Sequence, residues 1–198
     1  MSIGYNRERL IALLKRDALR TGTFTLASGR TSHYYVDGRK LTLSAEGASV
    51  IAAGVLEILA ARPEIVAVGG LTMGADPIVG ATLATAGAQG RVALRGFLVR
   101  KEAKGHGTGK LIEGPIEPGD TVAILDDVAT TGGSSLQAVS AVEAIGGKVA
   151  LVIVVLDRLE GAAEAFAAKG LEFLSLVTIR DLGVEPLPRP FVVDRSQP

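Results

Sequence analysis

Residues 122–134 read VAILDDVATTGGS, and they constrain the fold more than any other stretch of the chain. The first five, 122–126, read as a buried strand, apolar through Leu125. Two adjacent carboxylates follow, Asp126 and Asp127, and then small hydroxyl and glycine residues, Thr130, Thr131, Gly132, Gly133 and Ser134. Beyond them the period changes: Leu136, Val139, Val142 and Ile145 recur every three residues, as on one face of a helix. The segment is therefore a strand, a tight loop and a helix N-terminus. The first N–H groups of a helix have no internal partners and carry the positive end of its dipole. A glycine-rich loop in front of them lets the backbone close around an anion, so a phosphate is the natural guest. Two carboxylates repel a phosphate but suit sugar hydroxyls, a divalent cation or developing positive charge. Together they describe a sugar-phosphate site. The stretch lacks the Gly-Lys-Ser/Thr triplet of a Walker A loop and is not a GxGxxG fingerprint.

The rest of the chain repeats this rhythm. A helix is expected over 6–20, with Asn6 as its cap and Leu10, Ile11, Leu14 and Ala18 on one face. Residues 24–37, FTLASGRTSHYYVD, read as two extended pieces, 24–26 and 34–36, joined at Ser28-Gly29-Arg30. Tyr34 and Tyr35 are adjacent, so in a strand at most one of them lies in the core, and the other can stack on a planar ring. A second helix is expected over 43–61, capped by Ser44 and ended by Pro63. A strand over 65–68 leads into a glycine-rich loop, 69–75, and a helix over 76–88, which is the layout of the first motif again. Two such loops at neighbouring strand ends would share one crevice. A strand over 95–100 precedes 101–109, KEAKGHGTG, which has no apolar side to bury and reads as a mobile, cation-bearing lid. After the central motif, Gly146-Gly147 ends its helix, and 149–156, VALVIVVL, is the most apolar strand, expected to be central and parallel. It ends at Asp157-Arg158, on the ligand side, where Arg158 is placed either to fork onto a ligand carboxylate or to pair with its own neighbours. A short helix over 162–168, a strand over 171–177 and a proline-bearing extended tail complete the chain.

This alternation predicts one α/β domain: a doubly wound, mainly parallel sheet flanked by helices, with residues 1–40 forming a small hood, 41–180 the core and 181–198 the tail. The 198 residues suffice for one such core. Lys plus Arg number 21 and Asp plus Glu 21, which argues against nucleic-acid or membrane-surface binding by bulk charge and leaves room only for local basic clusters. The absence of cysteine removes disulfides and thiolate metal sites and fits a cytoplasmic enzyme. No signal peptide or run of membrane-spanning length is expected.

VAILDDVATTGGS resembles the phosphoribosyl pyrophosphate (PRPP) motif of the type I phosphoribosyltransferases. RKEAKGHGTG, from Arg100, is similar to the catalytic lid of the orotate members. SGRTSHYYVD resembles their N-terminal substrate segment, and Leu156-Asp157-Arg158 their base-contacting strand end. The likeness runs in order through nearly the whole chain. It implies transfer of ribose 5-phosphate from PRPP to orotate, giving orotidine 5′-phosphate and pyrophosphate, with Mg2+ bound mainly through substrate and water. It implies that Val128, Ala129, Thr130, Thr131, Gly132, Gly133 and Ser134 cradle the 5′-phosphate. Asp126 and Asp127 would hold the ribose hydroxyls and favour the positive charge that develops on the ring as pyrophosphate leaves. Arg100, Lys101, Lys104 and His106 would bind the pyrophosphate, with Lys104 and His106 counted as catalytic beside the two aspartates. Thr130 and Arg158 would contact orotate, with Tyr34 or Tyr35 against the ring. The lid of this family reaches a neighbouring subunit's site, which implies a homodimer.

Two positions depart from the pattern: some members carry lysine where Ala27 and Met73 stand. The competing readings are a purine phosphoribosyltransferase, which would share the central motif but not the lid and SGR segment, and a non-catalytic PRPP sensor, which would not need Lys101, Lys104 and His106.

Overall fold

The structure is a computed structural model that describes residues 4–25, 29, 31–102 and 110–187. Helix α1 (Arg7–Leu13) is capped by Asn6, whose side chain accepts the Arg9 N–H, and runs on into a π-helical turn, Leu14–Ala18. Strands β1 (Leu19–Thr25) and β2 (Thr31–Val36) form an antiparallel hairpin. A one-turn helix α2 (Arg39–Thr42) leads to α3 (Ala45–Ala60), capped by Ser44. Then follow β3 (Ala67–Leu71), α4 (Asp76–Ala88), β4 (Arg95–Val99), β5 (Ile112–Glu113), β6 (Thr121–Ala129), α5 (Gly133–Ala144), β7 (Lys148–Asp157), α6 (Ala162–Ala167) and β8 (Glu172–Thr178).

Strands β3 to β8 make a six-stranded sheet in the order β5-β4-β3-β6-β7-β8, parallel except for β5, which runs antiparallel to β4. The alternation along β6 shows why both faces must be covered. Ala123 and Leu125 join a core with Leu10, Ile51, Val55 and Ile78 from α1, α3 and α4. Val122 and Ile124 join a second core with Val139, Val142 and Phe166 from α5 and α6. The chain leaves β3 toward β4 on one side and returns to β6 on the other. The carboxyl ends of β3 and β6 thus flank the point where the strand order reverses, the place where open α/β sheets leave a crevice. Among the described residues no helix is long and apolar enough to cross a membrane.

Several boundaries differ from expectation. The first helical segment stops at Ala18 rather than residue 20, because Leu19 and Arg20 pair with Val36 and Tyr35 in the hairpin. Its partner strand is accordingly longer than 24–26; residues 26–28 and 30, with the Ala27 position, lie outside the described residues. The third strand starts at Ala67 and takes in Gly69 and Gly70, which sequence pattern assigns to a loop. A Cβ at Gly69 would lie 2.4 Å from the Phe97 carbonyl oxygen, and one at Gly70 2.1 Å from that of Leu125. These glycines serve close strand packing. The central strand also extends past residue 126 to Ala129, taking in Asp127. The 149–156 strand is interior and parallel on both sides, next to the edge strand β8.

Candidate active site

Asp126 and Asp127 sit in the second half of β6, past the end of its pairing with β3 at Ile124, and the chain holds their carboxylates with its own donors. Asp126 Oδ2 accepts the Ser135 hydroxyl at 2.9 Å and Oδ1 accepts the Asp127 N–H at 3.0 Å; Asp127 Oδ1 accepts the Val128 N–H at 2.9 Å. Burial pushes the Asp126 carboxyl up to about 6, and the neighbouring Asp127 charge adds to the rise. Burial also raises Asp127, opposed by the Val128 N–H and by the positive charge of Arg39. A group held in this state is poised to accept a cation or hydroxyl protons.

Two glycines pack closely on the pair. A Cβ at Gly74 would stand 2.6 Å from Asp126 Oδ1, and one at Gly38 2.8 Å from Asp127 Oδ2. The carboxylates open into a cleft of about 280 Å³ lined by Tyr35, Val36, Asp37, Gly38 and Arg39 from the hairpin side, by Leu71, Thr72, Met73 and Gly74 from the end of β3, and by Lys101, Asp126, Asp127, Val128 and Ser134. A second cavity of about 180 Å³ adjoins it, lined by Asp126 and by Val128 through Ser135. The two share Asp126, Val128 and Ser134. In the second cavity Gly132 adopts the left-handed region at φ +80 and caps α5 without any side-chain hydrogen bond, which leaves the first-turn N–H groups of the helix for a ligand.

The structure therefore brings together Lys101, Asp126, Asp127, Val128, Ala129, Thr130, Thr131, Gly132, Gly133, Ser134 and Tyr35 around two joined cavities. It places others elsewhere. The Arg100 guanidinium pairs with Glu113 of β5, with its Nε 3.0 Å from Oε1, at the sheet edge. Tyr34 is the core-facing tyrosine, 1% exposed against 40% for Tyr35. Arg158 is buried with it: its Nη2 lies 2.7 Å from Glu160 Oε1, off line for a hydrogen bond, and its guanidinium carbon stands 4.9 Å from the Tyr34 ring centre. Lys104 and His106 lie outside the described residues. Residues not anticipated from sequence are Gly38, Arg39, Ser135 and Glu160. Ser135 and Glu160 had local signals, one directly after the GGS run and the other two positions beyond Arg158. Gly38 and Arg39 directly follow the hairpin segment.

A parallel sheet with a phosphate-type loop after β6 and a carboxylate pair facing a second loop after β3 defines a type I phosphoribosyltransferase. No protein-family model matches the chain, but individual relatives do. It is 50% identical over 182 residues to the orotate phosphoribosyltransferase of Rhodopirellula baltica, covering 89% of this chain and 94% of that one. It is 42% identical over 182 residues to that of Mycobacterium bovis, covering 92% and 99%. The crystal structure of the Mycobacterium tuberculosis orotate phosphoribosyltransferase with PRPP superposes with a TM-score of 0.75 at 39% identity, covering 90% of this chain and 99% of that one. The chain belongs to the orotate phosphoribosyltransferase family. It is a transferase of pyrimidine biosynthesis that joins orotate to the ribose 5-phosphate of PRPP. The adenine phosphoribosyltransferase of Leishmania donovani, at 19% identity and a TM-score of 0.64, shares the fold alone, and a purine acceptor is not favoured.

Proposed function

We propose that the two joined cavities divide the donor between them. The 5′-phosphate occupies the cradle from Val128 to Ser134, held by backbone N–H groups at the start of α5. Its ribose crosses the shared wall, where Asp126 and Asp127 take the ring hydroxyls. The observation that carries this reading is that the two cavities share Asp126, Val128 and Ser134 in their walls. As the bond to pyrophosphate lengthens, the ring gains positive charge, and two carboxylates fixed by their hydrogen bonds stabilise it without reorganising. Pyrophosphate leaves toward Thr72, Met73 and Gly74 and toward Lys101, with Arg100, Lys104 and His106 arriving from the lid. Backbone contact with pyrophosphate on this side is confined to 72–74, since Gly69, Gly70 and Leu71 are strand residues. Thr130 and Arg158 face the orotate side, and Tyr35 supplies the ring that lies against the base, since it lines the cleft.

Mg2+ fits this site through its chemistry. Among the described residues no cluster of three or more His, Cys, Asp or Glu is placed to ligate an ion. The protein's own offer is the Asp126 and Asp127 oxygens, and such an ion keeps water and substrate oxygens as its main ligands. When bound it neutralises charge on the departing pyrophosphate.

The working unit is a cytoplasmic homodimer with shared lids. Leu43 and Met73 are 73% and 70% exposed, and with Arg39, Asp76 and Pro77 they line a recess of about 440 Å³ beside the cleft, an apolar patch suited to a second copy. Two experiments test the reading. Purified protein with PRPP and Mg2+ should consume orotate, followed by ultraviolet absorbance; turnover of a purine and not of orotate would refute the acceptor assignment. Mixing a Lys104→Ala chain with an Asp127→Asn chain should restore activity that neither has alone. No recovery in verified mixed dimers would show that lids act within their own subunit.

A further inference from the structure

Arg158 is buried in a cluster with two side chains that the steps above do not use, Tyr34 and Glu160. Tyr34 donates its hydroxyl to Glu160 Oε1 at 3.0 Å, and Arg158 reaches both, with Nε 3.4 Å from the tyrosine oxygen and Nη2 2.7 Å from the carboxylate. All three side chains are buried. They join the hairpin hood to the end of β7, more than 120 positions apart in sequence.

A buried ion pair is poor evidence of a stabilising device, because well-packed apolar residues of similar volume often do as well. The local backbone points the same way. Leu159, between the paired residues, sits at φ +60, a left-handed conformation unfavourable for a branched side chain, and its N–H closes onto Asp157 Oδ1 at 2.8 Å. Strain of this kind persists where the surroundings fix it and gathers at functional positions. The same turn is tied to the phosphate cradle: Arg158 N–H donates to the Ala129 carbonyl at 2.9 Å, and Ala162 N–H to that of Thr130 at 3.1 Å.

We infer that Glu160 is a positioning residue for acceptor recognition: with the Tyr34 hydroxyl it fixes the Arg158 guanidinium at the strand end, so that its remaining edge meets the acceptor carboxylate in one orientation. The inference rests on the assignment of Arg158 to orotate. Arg158 has a long side chain whose rotamers would otherwise be lost on each binding event. Pinning it to a buried carboxylate and a ring face removes that cost before the ligand arrives. It also makes hood and strand end move as one unit, since Tyr34 belongs to β2.

The test is steady-state kinetics on Glu160→Gln, which keeps the shape and an acceptor for Tyr34 but removes the charge. The KM for orotate should rise about fivefold or more while the KM for PRPP moves by less than about twofold, a split that general damage to the fold would not produce. An orotate KM within about twofold of the parent, or orotate and PRPP constants rising together, would overturn the positioning role. It would leave the function intact as long as the parent protein consumes orotate. A parent that does not consume orotate would overturn both. If Glu160→Gln does not fold, Tyr34→Phe decides. Loss of that single hydroxyl should raise the orotate KM by about two- to threefold and leave PRPP unaffected, and an unchanged orotate KM would refute the inference.

Discussion

In the proposed reading, the phosphate cradle and the base-side corner would solve recognition in opposite ways. The cradle, Val128 to Ser134, is made of one short stretch with small side chains, and its donors are backbone N–H groups at the head of α5. The corner is made of long side chains, Tyr34, Arg158 and Glu160, brought from two distant segments and buried against one another. A phosphate looks the same from every side, so a ring of backbone donors suffices. A planar base with one carboxylate has a direction, and only placed side chains can read it. The two meet at Ala129 and Thr130, whose carbonyls accept from Arg158 and Ala162.

The largest expected effect lies at the junction of the two cavities. Asp126→Asn should lower turnover by about a hundredfold or more, since it removes charge aimed at the developing cation. It should also make the protein more stable at pH 8. The folded-state pKa of Asp126 stands above the ordinary carboxylate value, so the folded protein takes up this proton more readily than the unfolded chain. Stability from this group is present at low pH and is lost as pH rises from the ordinary value toward about 6. Above that the burial penalty is complete, and the amide avoids it. A gain of about 1–3 kcal/mol in thermal or denaturant unfolding at pH 8 should therefore shrink to nothing near pH 4. No gain at pH 8 would show that the pair is not strained in the folded state.

The next effect separates cradle from corner. Gly132 is left-handed, and a Cβ there would stand 2.9 Å from Cζ of Phe166, a fully buried ring. Gly132→Ala should cost about 1–3 kcal/mol in unfolding free energy. It should raise the KM for PRPP far more than that for orotate, the mirror image of Glu160→Gln. Equal rises in both constants would mean that the two regions are one rigid site.

The smallest effect is a shift in pH profile. The Ser135 hydroxyl hydrogen-bonds the ionised form of Asp126 and lowers its pKa. Ser135→Ala should move the acid limb of the turnover profile to higher pH by up to about one unit. A limb that stays in place would assign it to another group.

This contrast also explains what could be read from the chain. The cradle and the aspartate pair are local, so their spacing, the glycines and the change of period disclosed them directly. The sheet was legible from the βαβ rhythm. Gly69 and Gly70 misled because a glycine needed for close strand packing has the same letter as one needed for a loop. Their role depends on Phe97 and Leu125, which come from other strands. The short β5 was missed because its two residues form a strand only by pairing with β4. The alternation of Tyr34 and Tyr35 allowed at most one of them in the core, and only the folded chain shows that it is Tyr34. Glu160 was invisible for the same reason: its partners lie two and 126 positions away, and nothing in its neighbourhood announces the second.

The most direct test of the whole assignment is a crystal structure with orotidine 5′-phosphate bound. The phosphate should receive hydrogen bonds from backbone N–H groups between Thr130 and Ser134. The ribose hydroxyls should lie on Asp126 and Asp127, and the base carboxylate on Arg158, with Glu160 still at its side. A phosphate bound away from the start of α5, or a base carboxylate that does not touch Arg158, would contradict it.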